Sequence, residues 1–381
     1  MKVTTDLIFK ILVFVSCVSC NEVNTLNAYV EKDYIKWDSL IEINQLEEVV
    51  DTINCIKLQT TENSLMGHVV KLEVDDKYLF IKDSNQKLFV FGIDGSFIRN
   101  IGKIGNGPDE LLGLFDFYLD KVNKCVNVID IFRASIFQYT YNGKLINTIK
   151  LSNELLRGCG KFYYISDDCV LATKDNSKSS VYNYSVLNVK EKKISHLLRY
   201  MITGDLTMSF NQQNKVCHFN DSLYLTSFFS DTIHAYQKDK LAAEAKWIFK
   251  GPNKNSNIEY FKNRQYELGI EAERTARENG VSTGITNLHM VNNYIYFTHS
   301  CENSIYACFY NKNKGNGYRL KIENENRLLE NIITTDNECF ICCIPIYELD
   351  NINLKTNSKL ENILSDSQDD DNPILVCFNV K

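Results

Sequence analysis

The sequence predicts an all-β chain: a six-bladed β-propeller of four-stranded antiparallel blades, closed by an N-terminal strand and carrying one helical insertion. The first observation behind this is a recurring hairpin. Asp94-Gly95 separates Val90-Phe91 from Phe97-Ile98, and Asn142-Gly143 separates Phe137–Tyr141 from Leu145-Ile146. Equivalent turns follow near Lys190 and Lys238, so the hairpin returns every 48 residues. Asp-Gly and Asn-Gly favour tight turns, read here as two-residue turns with φ > 0 at both central positions. The second observation is the run that leads into each hairpin. Tyr78–Asp83, Cys125–Asp130, Cys169–Ala172, Ser222–Thr226 and Tyr294–Thr298 are rich in β-branched and aromatic residues and bounded by Asp or Asn. One small antiparallel sheet per period of this length is the signature of a propeller.

The fifth hairpin, Ile305–Asn311 with a turn near Lys312-Asn313, comes about 25 residues late. The delay is the stretch 257–280, full of good helix formers and ending at Asn279-Gly280, which reads as a helix inserted in a loop. The sixth unit is split between the chain ends. Glu338–Ile344 and Pro373–Val380 are two of its strands, and the chain stops where a hairpin turn is due. Ile56-Lys57-Leu58 repeats Ile149-Lys150-Leu151, so residues 53–59 are expected beside Pro373–Val380 as the outer strand of the last blade. Such closure removes an open edge. The irregular stretch 323–370 is too polar for a seventh blade.

Composition agrees with one domain of this kind. The chain has 381 residues, 44% of them hydrophobic, with 21 Phe and 21 Tyr to fill the space between sheets. A net charge of −6 and the lack of a basic stripe exclude a nucleic-acid partner. The organisation predicted is a signal peptide over 1–20, a tether and lead-in over 21–50, and the propeller over 51–381. In the signal segment, Lys2 and Lys10 accompany the apolar run Leu7–Val15, too short to span a bilayer. Small residues and Cys follow in Val15–Cys20, which resembles the bacterial lipoprotein box although the usual Leu three positions before the Cys is missing. Cys20, just before the polar Asn21-Glu22, is the expected lipidation site, with Cys17 as the alternative. Acyl chains there would hold the protein at a membrane.

Several words along the chain resemble a known family. They are Leu58-Gln59-Thr60-Thr61, Ser64-Leu65-Met66-Gly67, Phe89-Val90-Phe91, Ile101–Glu110 with its Gly105-x-Gly107-Pro108-x-Glu110 element, and Asp371–Val376. From about residue 50 to 381 the sequence is similar to the six-bladed β-propeller lipoproteins of Bacteroidota, distant relatives of NHL-repeat propellers. The resemblance implies architecture and a place in the cell envelope, as an outer-membrane lipoprotein facing the periplasm or the surface. It implies no particular activity and no cofactor.

The residues that invite chemistry each have a structural reading as well. Gly102–Gly107 has the glycines of a phosphate cradle, but it follows a hairpin strand and precedes Pro108, so it reads as a blade-to-blade loop. Cys339-x-x-Cys342-Cys343 has zinc-like spacing without a second pair, and most of the 13 cysteines sit in apolar strands as small hydrophobes. Ser365–Asp371 lacks the spacing of a calcium loop. His218 and His289 each precede an apolar strand in successive blades and are the weak metal-ligand candidates for the central channel; His68 and His299 are out of register. No catalytic residue is assigned, since no nucleophile elbow, zinc-helix or Cys/His motif occurs. Two functions remain: a non-catalytic binding or scaffold module for an envelope protein or glycan, or a metal-assisted lyase or hydrolase in the channel with 257–280 as lid.

Overall fold

The computed structural model describes residues 32–381 apart from 175–180, 200–214, 228, 253–259, 261–273, 277, 302–303, 337 and 352–365. Six antiparallel sheets follow one another along the chain. Blade 1 is Val69–Asp75, Tyr78–Asp83, Leu88–Gly92 and Phe97–Ile101, and blade 2 is Asp116–Asp120, Cys125–Asp130, Ser135–Thr140 and Leu145–Lys150. Blade 3 is Cys159–Ser166, Cys169–Lys174, Tyr182–Asn188 and Lys193–Arg199, and blade 4 is Val216–Phe219, Ser222–Thr226, Thr232–Gln237 and Ala242–Lys250. Blade 5 is Ile285–Val291, Tyr294–Cys301, Ser304–Asn311 and Asn316–Lys321. Blade 6 takes Ile332–Thr335, Phe340–Ile344 and Ile374–Val380 from the C-terminal end of the chain. Its outer strand is β3 (Val50–Lys57), antiparallel to Ile374–Val380, as the repeated Ile-Lys-Leu predicts.

The lead-in does more than connect. Before β3 the chain forms β1 (Asp33–Lys36) and β2 (Leu40–Ile43). β1 adds in parallel to the outer edge of blade 4 and β2 in parallel to the outer edge of blade 5. Between them Trp37 fills the cleft between the two blades, with Tyr306 at 5.1 Å and the Arg319 guanidinium 4.3 Å from its ring. Arg319 also bonds the Trp37 carbonyl at 2.8 Å and Glu42 at 3.0 Å. Ile35 and Leu40 are fully buried beneath this strap. The inner strand Ile332–Thr335 of blade 6 lies within the polar stretch 323–370, where no local pattern marks a strand.

The turns use less left-handed backbone than Asp-Gly and Asn-Gly suggest. At the first two hairpins only the glycine has positive φ, Gly95 at 86° and Gly143 at 81°. Gly95 N–H bonds Gly92 O and Gly92 N–H bonds Ser96 O, and the ladder slips between Val90 and Phe91. This is a type I turn followed by a glycine bulge, which needs one left-handed residue rather than two. A Cβ on Gly95 would lie 2.2 Å from the Lys57 carbonyl of β3, so the close approach alone demands glycine. The two-residue turn with both φ positive occurs instead at Asn220-Asp221, in the first hairpin of blade 4.

Blades 1 and 2 share a buried lock. Asp83 accepts Gly67 N–H from the incoming loop and Lys87 N–H from its own turn, both at 2.9 Å. Asp130 does the same with Leu112 N–H at 2.8 Å and Arg133 N–H at 2.9 Å. Both carboxylates are fully buried. The words of the family resemblance meet at the seam between blades 6 and 1. Asn372 accepts Met66 N–H at 3.1 Å and donates to Gln59 O and Ser64 O, while Gln59 accepts Phe97 N–H at 2.9 Å. Asp371 pairs with Lys57 at 3.3 Å, which makes the acidic run a connector here. The Gly105-x-Gly107-Pro108-x-Glu110 element is also structural. Glu110 folds back to accept Gly107 N–H at 2.9 Å and Lys103 at 2.5 Å, and Gly105 leaves the room, since a Cβ there would meet Glu110 at 2.1 Å. The protein's own carboxylate occupies the place a phosphate would take.

Of the insertion, Tyr260 and the end lie among the described residues: Tyr260, 274–276 and 278 are helical, and Gly280 (φ 65°) stops the helix as Asn-Gly predicts. Residues 257–259, 261–273 and 277 lie outside them, as do the signal peptide, Cys17 and Cys20. Cys125, Cys217, Cys308 and Cys342 are buried thiols within the blade cores.

Candidate functional site in the axial channel

The innermost strand of each blade faces the axis, and two cavities open along it. The upper face carries the connections between blades and the turns between second and third strands. The three longest connections, 200–215, 251–284 and 345–373, all leave this face. The upper cavity, about 690 Å³, is lined by His68, Asn287, Glu330, Tyr347, Glu348 and Asp369 among others. Tyr347 is 64% exposed at its rim. The lower cavity, about 460 Å³, opens among the first hairpins at Asp76, Lys121, Asn220 and Asp336. Val70, Lys161 and Ile333 line both, so the two meet at a waist. These volumes suit small-molecule ligands or the tip of a larger one.

Charge enters the channel through alternation on an inner strand. In Val69-Val70-Lys71-Leu72-Glu73-Val74-Asp75 the charged residues recur every second position and share one face. Lys71 is a hub that joins three blades. It pairs with Glu73 at 3.2 Å and Asp116 at 3.3 Å and donates to Phe117 O at 2.5 Å and Phe162 O at 2.7 Å. Its ammonium also lies 4.9 Å from the Tyr163 ring centre. Asp116 in turn accepts Phe162 N–H at 2.6 Å. Burial raises the Glu73 carboxyl above the usual range, against the pull of Lys71 and Lys121. Burial lowers the ammonium of Lys161, with Asp116 opposing, and that of Lys82, the cross-strand partner of Lys71.

Both predicted histidines line the lower cavity. His218 is the penultimate residue of the inner strand of blade 4, and its ring lines the channel while bonding the Tyr164 backbone, with protein surrounding it deeply. Burial first, then Lys121 and Lys71, push it down to about 4. His289 on the inner strand of blade 5 is 1% exposed, and its Nε2 lies 3.0 Å from Asn287 Oδ1. Burial, aided by Lys161, takes it to about 3. His68 lines the upper cavity, and His299 lies away from both, packed on Phe249 at 4.7 Å and Trp37 at 6.4 Å. Among the described residues no three His, Cys, Asp or Glu side chains come together as metal ligands. Sequence reasoning missed Lys71, Glu73, Lys121 and Lys161. The signal for the first two was visible, as charges at alternate positions in an otherwise apolar strand.

Residues 33–379 match the family described as a domain of unknown function, DUF4934. No curated protein matches the sequence. Among solved structures, a candidate exported protein of Bacteroides fragilis superposes with a TM-score of 0.74 at 16% identity, covering 91% of this chain and 99% of that one. A DUF4221-family member from Bacteroides vulgatus gives 0.56 at 13% identity, covering 87% and 98%. At such identities the likeness is one of fold.

Proposed function

The chain belongs to the DUF4934 family, and we propose that it is a non-catalytic binding module of the cell envelope that takes a protein or glycan ligand at its axial channel. The observation that carries this reading is the channel itself: two open cavities meeting at a waist, the upper one beneath the face from which the longest connections leave. Loops that converge on a rigid ring are the usual carriers of recognition. Export and anchoring at Cys20 are part of the proposal, motivated by the short apolar leader and by the Bacteroides fragilis neighbour described as a candidate exported protein. A metal-assisted lyase would need more ligands than His218 and His289, the two that line the same cavity.

Capture from envelope extract tests the binding reading. Wild-type protein should enrich a ligand that the Val70→Trp variant, blocked where the two cavities meet, does not. Equal enrichment by a folded Val70→Trp protein would move recognition off the channel. Loss of lipid labelling and membrane association in Cys20→Ala tests the anchor, and labelling that persists there would point to Cys17.

A further inference from the structure

The two cavities of the channel differ in how their charges are spent. In the lower one Glu73 accepts Lys71 and Leu119 N–H, Asp75 and Asp76 accept Lys124, and Asp336 accepts the N–H groups of Glu338 and Cys339. In the upper one Asp371 accepts Lys57 and Gln368 N–H. Glu330, Glu348, Asp369 and Asp370, by contrast, make no side-chain hydrogen bond or ion pair with the described residues. Glu330 lies in the 3-10 turn Asn324–Asn331 that enters blade 6, Glu348 in the 3-10 turn Ile346–Asn351, and Asp369 and Asp370 just before Ile374–Val380. The acidity therefore forms one wall, contributed by blade 6. Lys161, at the waist, is the one lysine among the described lining residues, and no arginine joins it. Met66, Val69, Ile305, Ile332 and Ile333 put an apolar surface beside that wall. A concave wall of one sign focuses its field on whatever enters. Among the described residues no three of these carboxylates come together as metal ligands, so the charge is spread out and suits an organic cation better than a metal ion.

We propose that the upper mouth of the channel docks a basic segment of a protein ligand, with a lysine or arginine side chain reaching between the acidic wall and the apolar lining. The inference rests on the channel-binding reading and narrows its ligand from protein or glycan to a protein with exposed cations. Lysine and arginine have the matching build: an apolar stem to lie along Val69, Ile332 and Ile333, and a charged head that stays at the wet, acidic rim. The exposed Tyr347 ring offers the same head a π face. A neutral sugar would leave the carboxylates without a counter-charge, and a uronate would meet them with a like charge.

The probes are blocked peptides of one Gly/Ser backbone that carry Lys, Gln or Glu at the same positions. Binding is read by fluorescence anisotropy at about 150 mM salt, where charges beyond a Debye length are screened. The Lys peptide should bind about tenfold or more tightly than the Gln peptide, and the Glu peptide should not bind. Glu330→Gln combined with Glu348→Gln should weaken the Lys peptide about tenfold or more. Asp51→Asn combined with Asp239→Asn removes the same charge from exposed sites outside both cavities and should leave its affinity unchanged. Equal losses in the two double variants, or no loss in the first, would overturn the docking site. So would displacement of the peptide by millimolar calcium, which would assign the carboxylates to a metal. Lys and Gln peptides bound alike, and both weakened by Val70→Trp, would overturn the charge assignment and leave channel binding standing. The channel reading fails separately, when capture from envelope extract is unchanged in a folded Val70→Trp protein.

Discussion

Blades 1 and 2 are held from within, whereas blades 4 and 5 are held from outside. In the first pair, Asp83 and Asp130 each clamp the incoming loop and their own turn from a fully buried position. The last hairpin of each turns on glycine, Gly95 and Gly143, as that of blade 5 also does at Gly315. In the second pair the equivalent strand ends carry Ser227 and Ser300, and a hairpin of blade 4 turns on Leu241 with φ 48°. Those blades instead gain β1 and β2 on their outer edges and Trp37 in their shared cleft. One architecture thus tolerates the loss of a local device where a distant segment of chain supplies another.

The largest expected effect tests that substitution of devices. Deleting 32–44 exposes Ile35, Leu40 and two strand edges, and should cost at least about 5 kcal/mol. Hydrogen exchange should lose protection in blades 4 and 5 first, and an even loss around the ring would mean that the strap supports the whole rather than one sector. Asp130→Ala makes the reverse cut. It leaves two backbone donors without their acceptor and should cost about 2–4 kcal/mol, seen as a lower denaturant midpoint with loosened protection in blade 2. Asp130→Asn, which keeps one acceptor, should lose less.

Acid should find blade 5 before blade 1. His289 and His299 are both 1% exposed, and burial pushes them to about 3 and about 4. A histidine whose folded pKa is lowered holds fewer protons in the native state, so its stability contribution is present above the unfolded value of about 6.5 and is lost as pH falls toward the folded one. Each should cost about 2 kcal/mol at pH 5. Asp231, raised to about 6 by burial, works in the opposite sense and offsets part of this as pH falls from 6. Neither ring nitrogen of His299 is well hydrogen-bonded among the described residues: the Gly284 backbone is nearby and the Asp231 carboxylate lies 4.0 Å from Nδ1. His299→Phe should therefore raise the melting temperature more at pH 5 than at pH 8; an equal gain at both would assign its effect to packing. The smallest effect is at the turns. Leu241→Gly should stabilise by about 0.5–1 kcal/mol, and Gly143→Leu, which has room for a side chain but the wrong φ, should lose about 1–2 kcal/mol.

The same contrast explains what was legible. Blade 1 and blade 2 hairpins announce themselves because Asp-Gly and Asn-Gly lie between alternating apolar runs, and the closing strand because Ile-Lys-Leu repeats. β1 and β2 carry four residues each, mixed with charge, and their partners lie more than 200 positions away, so no local pattern marks them. Ile332–Thr335 is equally short. In the channel, the two histidines could be placed because each sits on an inner strand. Lys121 could not, since a lysine in a turn looks like any solvated lysine until the ring brings it to the wall of the lower cavity.

The strap also sets an order of events during folding. β1 needs Trp247–Lys250, β2 needs Gly317–Leu320 and β3 needs Ile374–Val380, so each N-terminal piece waits for a later part of the chain. Contacts of such long separation pay loop-closure entropy before they return anything, and they slow folding. As the chain emerges, blades 1 to 3 can assemble while residues 32–57 are still unpartnered. Those residues then dock in sequence, blade 4, blade 5, blade 6, and the final strand of the chain closes the ring. The first residues of the domain are thus among the last to fold, and a truncated or stalled chain would present an unsealed edge for as long as its C-terminal end is missing.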